Sequence, residues 1–146
     1  MKILIIEDDA IKCQSMTRFL QEHIPDAGIE TAAAYASGLR KAFRGHFDLI
    51  ITDNGLPYYE NSNDYNPDMA QIVLEELECF CEENRPKCII CSQFDLGTKE
   101  AYFSSIVQQY DNCLGFVRYD SSSSDWEGKL LSMIKALSEQ ETFTNQ

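Results

Sequence analysis

Apolar residues gather along this chain in five short runs: Lys2–Ile6, Ile29–Ala32, Leu49–Thr52, Cys88–Ser92 and Gly115–Tyr119. Runs of this length, bounded by turn residues, predict buried strands. Between them the spacing becomes helical. Met16, Phe19 and Leu20 make an i, i+3, i+4 stripe that ends near Pro25, and Leu39 and Phe43 mark a second helix stopping at Gly45. Asn66-Pro67-Asp68 supplies an N-cap, a first-turn proline and a first-turn acid for a third helix carrying Ile72, Val73, Leu74 and Leu77. Tyr102, Phe103 and Tyr110 fall in a fourth, as core and rim. The last helix opens on Ser124-Asp-Trp-Glu127, a capping box, and turns Trp126, Leu130, Ile134 and Leu137 inward. Strand and helix in alternation predict an α/β fold, a parallel sheet covered by helices on both faces. The chain shows neither an internal repeat nor a linker.

Three segments stand outside this pattern. Residues 58–66, polar and aromatic without periodicity, read as a loop just beyond Asp53; residues 93–98 and 120–123 follow the fourth and fifth strands. A parallel sheet places all three at the carboxyl ends of its strands, where open α/β sheets bind ligands. The first strand runs into Glu7-Asp8-Asp9, the third into Asp53 followed by Asn-Gly-Leu-Pro57, and the fourth into Ser92. A buried strand that breaks into a carboxylate and then a Gly/Pro turn delivers that carboxylate to the sheet rim. Crowded carboxylates repel one another, so a divalent cation is needed to keep them ionised. Magnesium suits such a place, since it takes one or two carboxylates with waters and phosphate oxygens. The hydroxyl of Ser92 is then placed to bind an oxygen of a transferred phosphoryl group. Asp9 reads as a solvated acid.

Composition narrows the picture. With 146 residues, 44% hydrophobic and 25% charged, the chain has material for one globular domain. A net charge of −12 repels nucleic acid and anionic membranes and favours a basic partner or a cation. There is no 18-residue apolar span, and the N-terminus enters a strand rather than a signal peptide. The expectation is a cytoplasmic protein. Of the six cysteines, Cys79 and Cys81 lie close together, as do Cys88 and Cys91. Residues three apart on a strand face opposite sides, so Cys88 and Cys91 cannot share one metal, and buried free thiols are expected. His23 and His46 read as surface residues. The Walker, nucleophile-elbow and glycine-rich phosphate patterns are absent. A flavin carrier is disfavoured because the loop after strand one is acidic where a phosphate needs hydroxyls and amides.

The ordered set ILIIEDD at 3–9, DLIITDNGLP at 48–57, IICS at 89–92 and GFVRYD at 115–120 resembles the receiver domain of bacterial two-component response regulators, over nearly the whole chain. The resemblance implies a three-layer (βα)5 flavodoxin-like fold with strand order 2-1-3-4-5. The domain would occupy residues 1–141, with 142–146 as a short tail. It further implies that Glu7, Asp8 and Asp53 with the carbonyl of Gly55 hold Mg2+, and that Asp53 accepts the phosphoryl group. Ser92 and Phe116 would be the switch residues, and Pro57 the usual proline four after the acceptor. The partners implied are a sensor histidine kinase or phosphotransfer protein and a downstream effector protein. The chain would not be an enzyme beyond assisting its own phosphorylation and dephosphorylation.

Two departures from the family pattern stand out. Receivers carry a lysine three residues after the strand-five aromatic; here that place holds Tyr119, with Arg118 as the neighbouring cation. Either Arg118 reaches the pocket through a bulge or shifted register, or the site has lost this fixed charge. The loop after Pro57 is also longer than the family's connection, so it is either a passive insertion or a lid built on Tyr58, Tyr59 or Tyr65. Two functions follow from these departures. One is a stand-alone receiver in phosphorelay signalling; the other is a pseudo-receiver acting as a phosphorylation-independent interaction module.

Overall fold

The computed structural model describes residues 1–80, 85–94 and 99–144. The strands are β1 (Lys2–Ile6), β2 (Gly28–Ala32), β3 (Leu49–Thr52), β4 (Leu56–Pro57), β5 (Tyr65–Asn66), β6 (Lys87–Ser92) and β7 (Cys113–Arg118). The helices are α1 (Ala10–His23), α2 (Tyr35–Arg44), α3 (Met69–Phe80), α4 (Glu100–Gln109) and α5 (Asp125–Thr144). Five strands form one parallel sheet in the order β2-β1-β3-β6-β7, which is the expected 2-1-3-4-5 once β4 and β5 are set aside as a separate hairpin.

Side-chain alternation along the strands divides the core into two layers. Leu4, Ile6, Ile50, Cys88 and Ile90 pack with Leu39 of α2, Val73 and Leu77 of α3, and Phe103 and Ile106 of α4. Ile3, Ile5, Ile51, Ile89 and Val117 pack on the opposite face with Met16, Phe19 and Leu20 of α1 and Trp126, Leu130 and Ile134 of α5. The central strands are buried on both faces, hence their unbroken apolar runs. Edge strand β2 is mostly exposed. Gly38 lets α2 settle on β1, because a Cβ there would lie 2.7 Å from Cδ1 of Ile6.

Pairing between β6 and β7 is irregular at its start. Cys88 faces Cys113, but the next residue, Ile89, faces Gly115, so Leu114 is an extra residue in β7.

Several local expectations are corrected. Phe43 is exposed, because the buried face of α2 runs through Gly38, Leu39 and Ala42. The start of α3 is held by Asn54, whose carbonyl accepts from Met69 N at 2.7 Å and whose Oδ1 accepts from Ala70 N at 3.2 Å. Asn66 Oδ1 accepts from Asp68 N at 2.8 Å, ahead of the helix, and its Nδ2 donates to the Tyr58 hydroxyl at 3.2 Å. Ahead of α5, Ser123 Oγ accepts from Asp125 N at 3.1 Å, while Glu127 N donates to the Ser124 carbonyl rather than to its hydroxyl. The irregular loop is 58–64 rather than 58–66, since β4 and β5 pair Leu56 with Asn66 and Pro57 with Tyr65 and close it into a hairpin. Asn61 turns the tip at φ 61°, a conformation asparagine tolerates.

Cys13, Cys79, Cys88, Cys91 and Cys113 are free thiols; the last three are buried, Cys13 is half-buried and Cys79 is exposed. Cys81 and residues 95–98 of the loop after the fourth sheet strand lie outside the described residues. Among the described residues no helix is long and apolar enough to cross a membrane.

Candidate functional site

Two backbone hydrogen bonds bring the acidic strand ends together. Glu7 N donates to the Ala32 carbonyl at 2.9 Å and Asp53 N to the Ile6 carbonyl at 3.0 Å, so both residues continue the sheet ladder at its carboxyl edge. As a result, oxygens of Glu7, Asp8 and Asp53 lie within 4.8 Å of one another. Glu7 is buried, Asp53 half-buried and Asp8 exposed. This set of hard oxygen donors, open to water on the Asp8 side, fits a divalent cation such as Mg2+.

A cation already reaches this group from α1. Asp9 caps that helix, its Oδ1 accepting from Ile11 N at 3.0 Å and Lys12 N at 3.2 Å. The cap fixes the first turn so that the Lys12 side chain enters the pocket. Its Nζ stands 2.5 Å from Glu7 Oε1 and 3.5 Å from Asp53 Oδ2, and it donates to the Cys91 carbonyl at 2.7 Å. The ammonium thus makes one hydrogen bond and two ion contacts, although the Lys12 side chain is only 4% exposed. Among the described residues Glu7 Oε1 has no directed hydrogen bond besides this ion contact, and Oε2 accepts from Asp9 N at 3.1 Å.

Burial, reinforced by the charge of Asp53, pushes the Glu7 carboxyl up to about 8 against the pull of Lys12. For Lys12, burial works against the charge, but Asp53 and then Glu7 more than offset it and raise the ammonium above its ordinary value.

The cation in the pocket comes from α1 and not from the fifth strand of the sheet. Arg118 is exposed, with its Nε donating to the Phe94 carbonyl at 2.9 Å. Tyr119 is buried and packs against Trp126, with ring centroids 5.1 Å apart. Its ring also lies 5.3 Å from Lys12 Nζ. The sequence did carry a signal, for Lys12 precedes Met16 by one helical turn and therefore sits on the buried stripe of α1.

Ser92 is buried, and its carbonyl accepts from Tyr119 N at 2.9 Å. It lines a cleft of ≈ 300 Å³ with Asn54, Gly55, Tyr65, Phe94 and Phe103. Phe116 lies on the far side of β7 from Tyr119, stacked on Phe103 with centroids 5.5 Å apart and edge-on to Phe94 at 5.9 Å. Above Gly55 stands the hydroxyl of Tyr65, which any side chain at position 55 would strike. Partial burial, then the charges of Asp53, Asp8 and Glu7, raise the Tyr65 phenol above its ordinary value, so the hydroxyl senses all three carboxylates. Tyr58 ties the hairpin to α2, its carbonyl accepting from Ala36 N at 2.9 Å.

Sheet order and layering are those of the flavodoxin-like fold of response regulator receiver domains, and the structural neighbours include such domains. A CheY-like receiver domain protein from Methanospirillum hungatei JF-1 superposes with a TM-score of 0.69 at 20% identity, over 97% of this chain and 96% of that one. The response regulator TrrA of Thermotoga maritima, in complex with Mg2+ and BeF, gives 0.67 at 21% identity, over 93% and 97%. RcsB of Salmonella enterica serovar Typhimurium, bound to promoter DNA, gives 0.68 at 14% identity, over 94% of this chain and 67% of that one. No family model matches the sequence. The uncharacterized protein y4jR of Sinorhizobium fredii is 27% identical over 139 residues, 87% of this chain and 92% of its own length.

Proposed function

We propose that the chain is a phosphorelay receiver that accepts a phosphoryl group on Asp53 and passes the signal through a partner protein. The observation that carries this reading is the meeting of the Glu7, Asp8 and Asp53 oxygens within 4.8 Å at the carboxyl edge of a receiver-type sheet. A carboxylate oxygen of Asp53 attacks the phosphorus of a phosphohistidine on a sensor kinase or phosphotransfer protein. The phosphorus–nitrogen bond breaks as the phosphorus–oxygen bond forms, and imidazole leaves. Glu7, Asp8 and Asp53, with the Gly55 carbonyl, would hold Mg2+, which supplies charge neutralisation. Ser92 donates its hydroxyl to a phosphoryl oxygen. Reorientation of Ser92 and Phe116 then alters the α4–β7 surface for a downstream effector. Such a module turns over no separate substrate. The domain boundary expected at 141, ahead of a tail 142–146, falls within α5, which runs to Thr144, and a kinase-coupled role fits a cytoplasmic location. A net charge of −12 speaks against nucleic acid or anionic membrane as the direct partner.

Intact-mass measurement after incubation with acetyl phosphate and Mg2+ tests this reading. One added phosphoryl group is expected on the wild type and none on Asp53→Asn. A wild type that stays unmodified with small donors and a panel of kinases would replace it with the pseudo-receiver. That second reading draws on the Lys12 ammonium, which gives the acidic pocket a built-in cation.

A further inference from the structure

We propose that Lys12, delivered from the first turn of α1 and walled by the ring of Tyr119, is the cation that stabilises the phosphoryl group on Asp53. The inference rests on the receiver reading and adds to it a residue from an unexpected element. A buried ion pair is seldom worth its desolvation as a source of stability. At position 12 an apolar residue would simply extend the Met16, Phe19 and Leu20 stripe, yet an ammonium is buried there. Its position answers a charge problem. Glu7, Asp8 and a dianionic phosphoryl group carry more negative charge than one divalent cation offsets, so a further positive charge at the acceptor favours transfer.

Of the three oxygens that Lys12 Nζ meets, Asp53 Oδ2 is the most distant, at 3.5 Å against 2.5 Å for Glu7 and 2.7 Å for Cys91. The ammonium is therefore anchored by two groups and held 3.5 Å from the Asp53 carboxylate, beside the oxygens that would carry the phosphoryl group. Fixed donors of this kind need no reorganisation during the reaction. Tyr119, at 5.3 Å, presents a ring that attracts the cation and keeps water from its side. Positions 12 and 119 thus work as a pair, a lysine from the helix and an aromatic wall from the strand.

The test compares wild type, Lys12→Met, Lys12→Arg, Tyr119→Leu and the double variant Lys12→Met/Tyr119→Lys. The readouts are the rate of Asp53 phosphorylation by acetyl phosphate with Mg2+ and the rise in melting temperature caused by Mg2+ with beryllofluoride. Lys12→Met should slow phosphorylation by roughly 10²-fold or more, the usual effect of deleting a preorganised donor, and should shrink the beryllofluoride shift. Lys12→Arg should keep part of both. The double variant should recover rate by restoring a cation from the strand side. Tyr119→Leu, which leaves the ammonium in place, should slow transfer less than Lys12→Met. It also carries the test if Lys12→Met does not fold, since an unchanged rate and shift in Tyr119→Leu and Lys12→Arg together would then overturn the pairing. A Lys12→Met protein phosphorylated at the wild-type rate would overturn the inference while leaving the receiver reading intact. A wild type that accepts no phosphoryl group and shows no beryllofluoride shift would overturn both.

Discussion

Asn54 and Ala70 are joined by a hydrogen bond from the Ala70 amide to the Asn54 side-chain oxygen at 3.2 Å, across sixteen residues of chain. The residue next to the candidate acceptor is thereby the cap of α3, so site and helix are registered to each other. Asn54→Ala should cost about 1 kcal/mol, the usual value of a lost N-cap. In a chain of this size that amounts to a fall of about 3 °C in melting temperature. A change within error would mean that the Asn54 carbonyl bond to Met69 N suffices.

Gly55 and Tyr65 should behave as one unit. A methyl group at position 55 strikes the end of the Tyr65 side chain, which is 58% exposed and free to swing outward. Gly55→Ala should therefore cost little stability, on the order of 1 kcal/mol or less, while moving the hydroxyl off the pocket. Its effect on phosphorylation and dephosphorylation rates should match that of Tyr65→Ala, and the double variant should add nothing further. Additive effects, or unchanged rates in both single variants, would dispose of the hairpin as a lid.

Without divalent metal, stability should fall as pH rises from about 4.5 to about 8. The folded Glu7 carboxyl holds its proton up to about 8, whereas the unfolded one releases it near 4.5. The folded state thus binds more protons throughout that window, and each rise in pH favours unfolding. The Lys12 shift acts only above 10.5, outside the window. Urea midpoints measured in chelator at pH 5 and pH 8 should show the decline in wild type and a flatter profile in Glu7→Gln.

Magnesium should raise the melting temperature of the wild type by simple linkage. Asp8 is the exposed member of the acidic set, so Asp8→Asn removes ligand charge without disturbing the buried Glu7–Lys12 contact. The variant should lose the magnesium-dependent shift while keeping the metal-free melting temperature. An undiminished shift would place the metal elsewhere.

What the sequence revealed and what it hid divide along the range of the interactions. Strands β1, β3 and β6 were legible because burial on both faces leaves continuous apolar runs, and α1 was legible from the Met16, Phe19 and Leu20 stripe. The hairpin was not, since strands of two residues have no period and depend on cross-strand partners such as Tyr58 N and the Asp64 carbonyl, 3.1 Å apart. The cap of α3 was misplaced because Asn66-Pro67-Asp68 is locally well formed, while the Asn54 contacts are visible only in three dimensions. Lys12 escaped for a related reason. Charge along a helix is ordinarily read as solvated surface, and only its phase with Met16 marks it as buried.

The extra residue in β7 has a further consequence, one of phase. Without Leu114 as an unpaired insertion, Ile89 would face Leu114 and each later residue of β7 would pair one step earlier against β6. Val117 would then stand opposite Ser92, and Arg118 rather than Tyr119 would lie where an amide now donates to the Ser92 carbonyl. Every side chain downstream would change faces, bringing Phe116 onto the α1–α5 side and a guanidinium toward the pocket that now holds the tyrosine ring. A single inserted residue at the far end of the strand thus selects between two different chemistries at its carboxyl end.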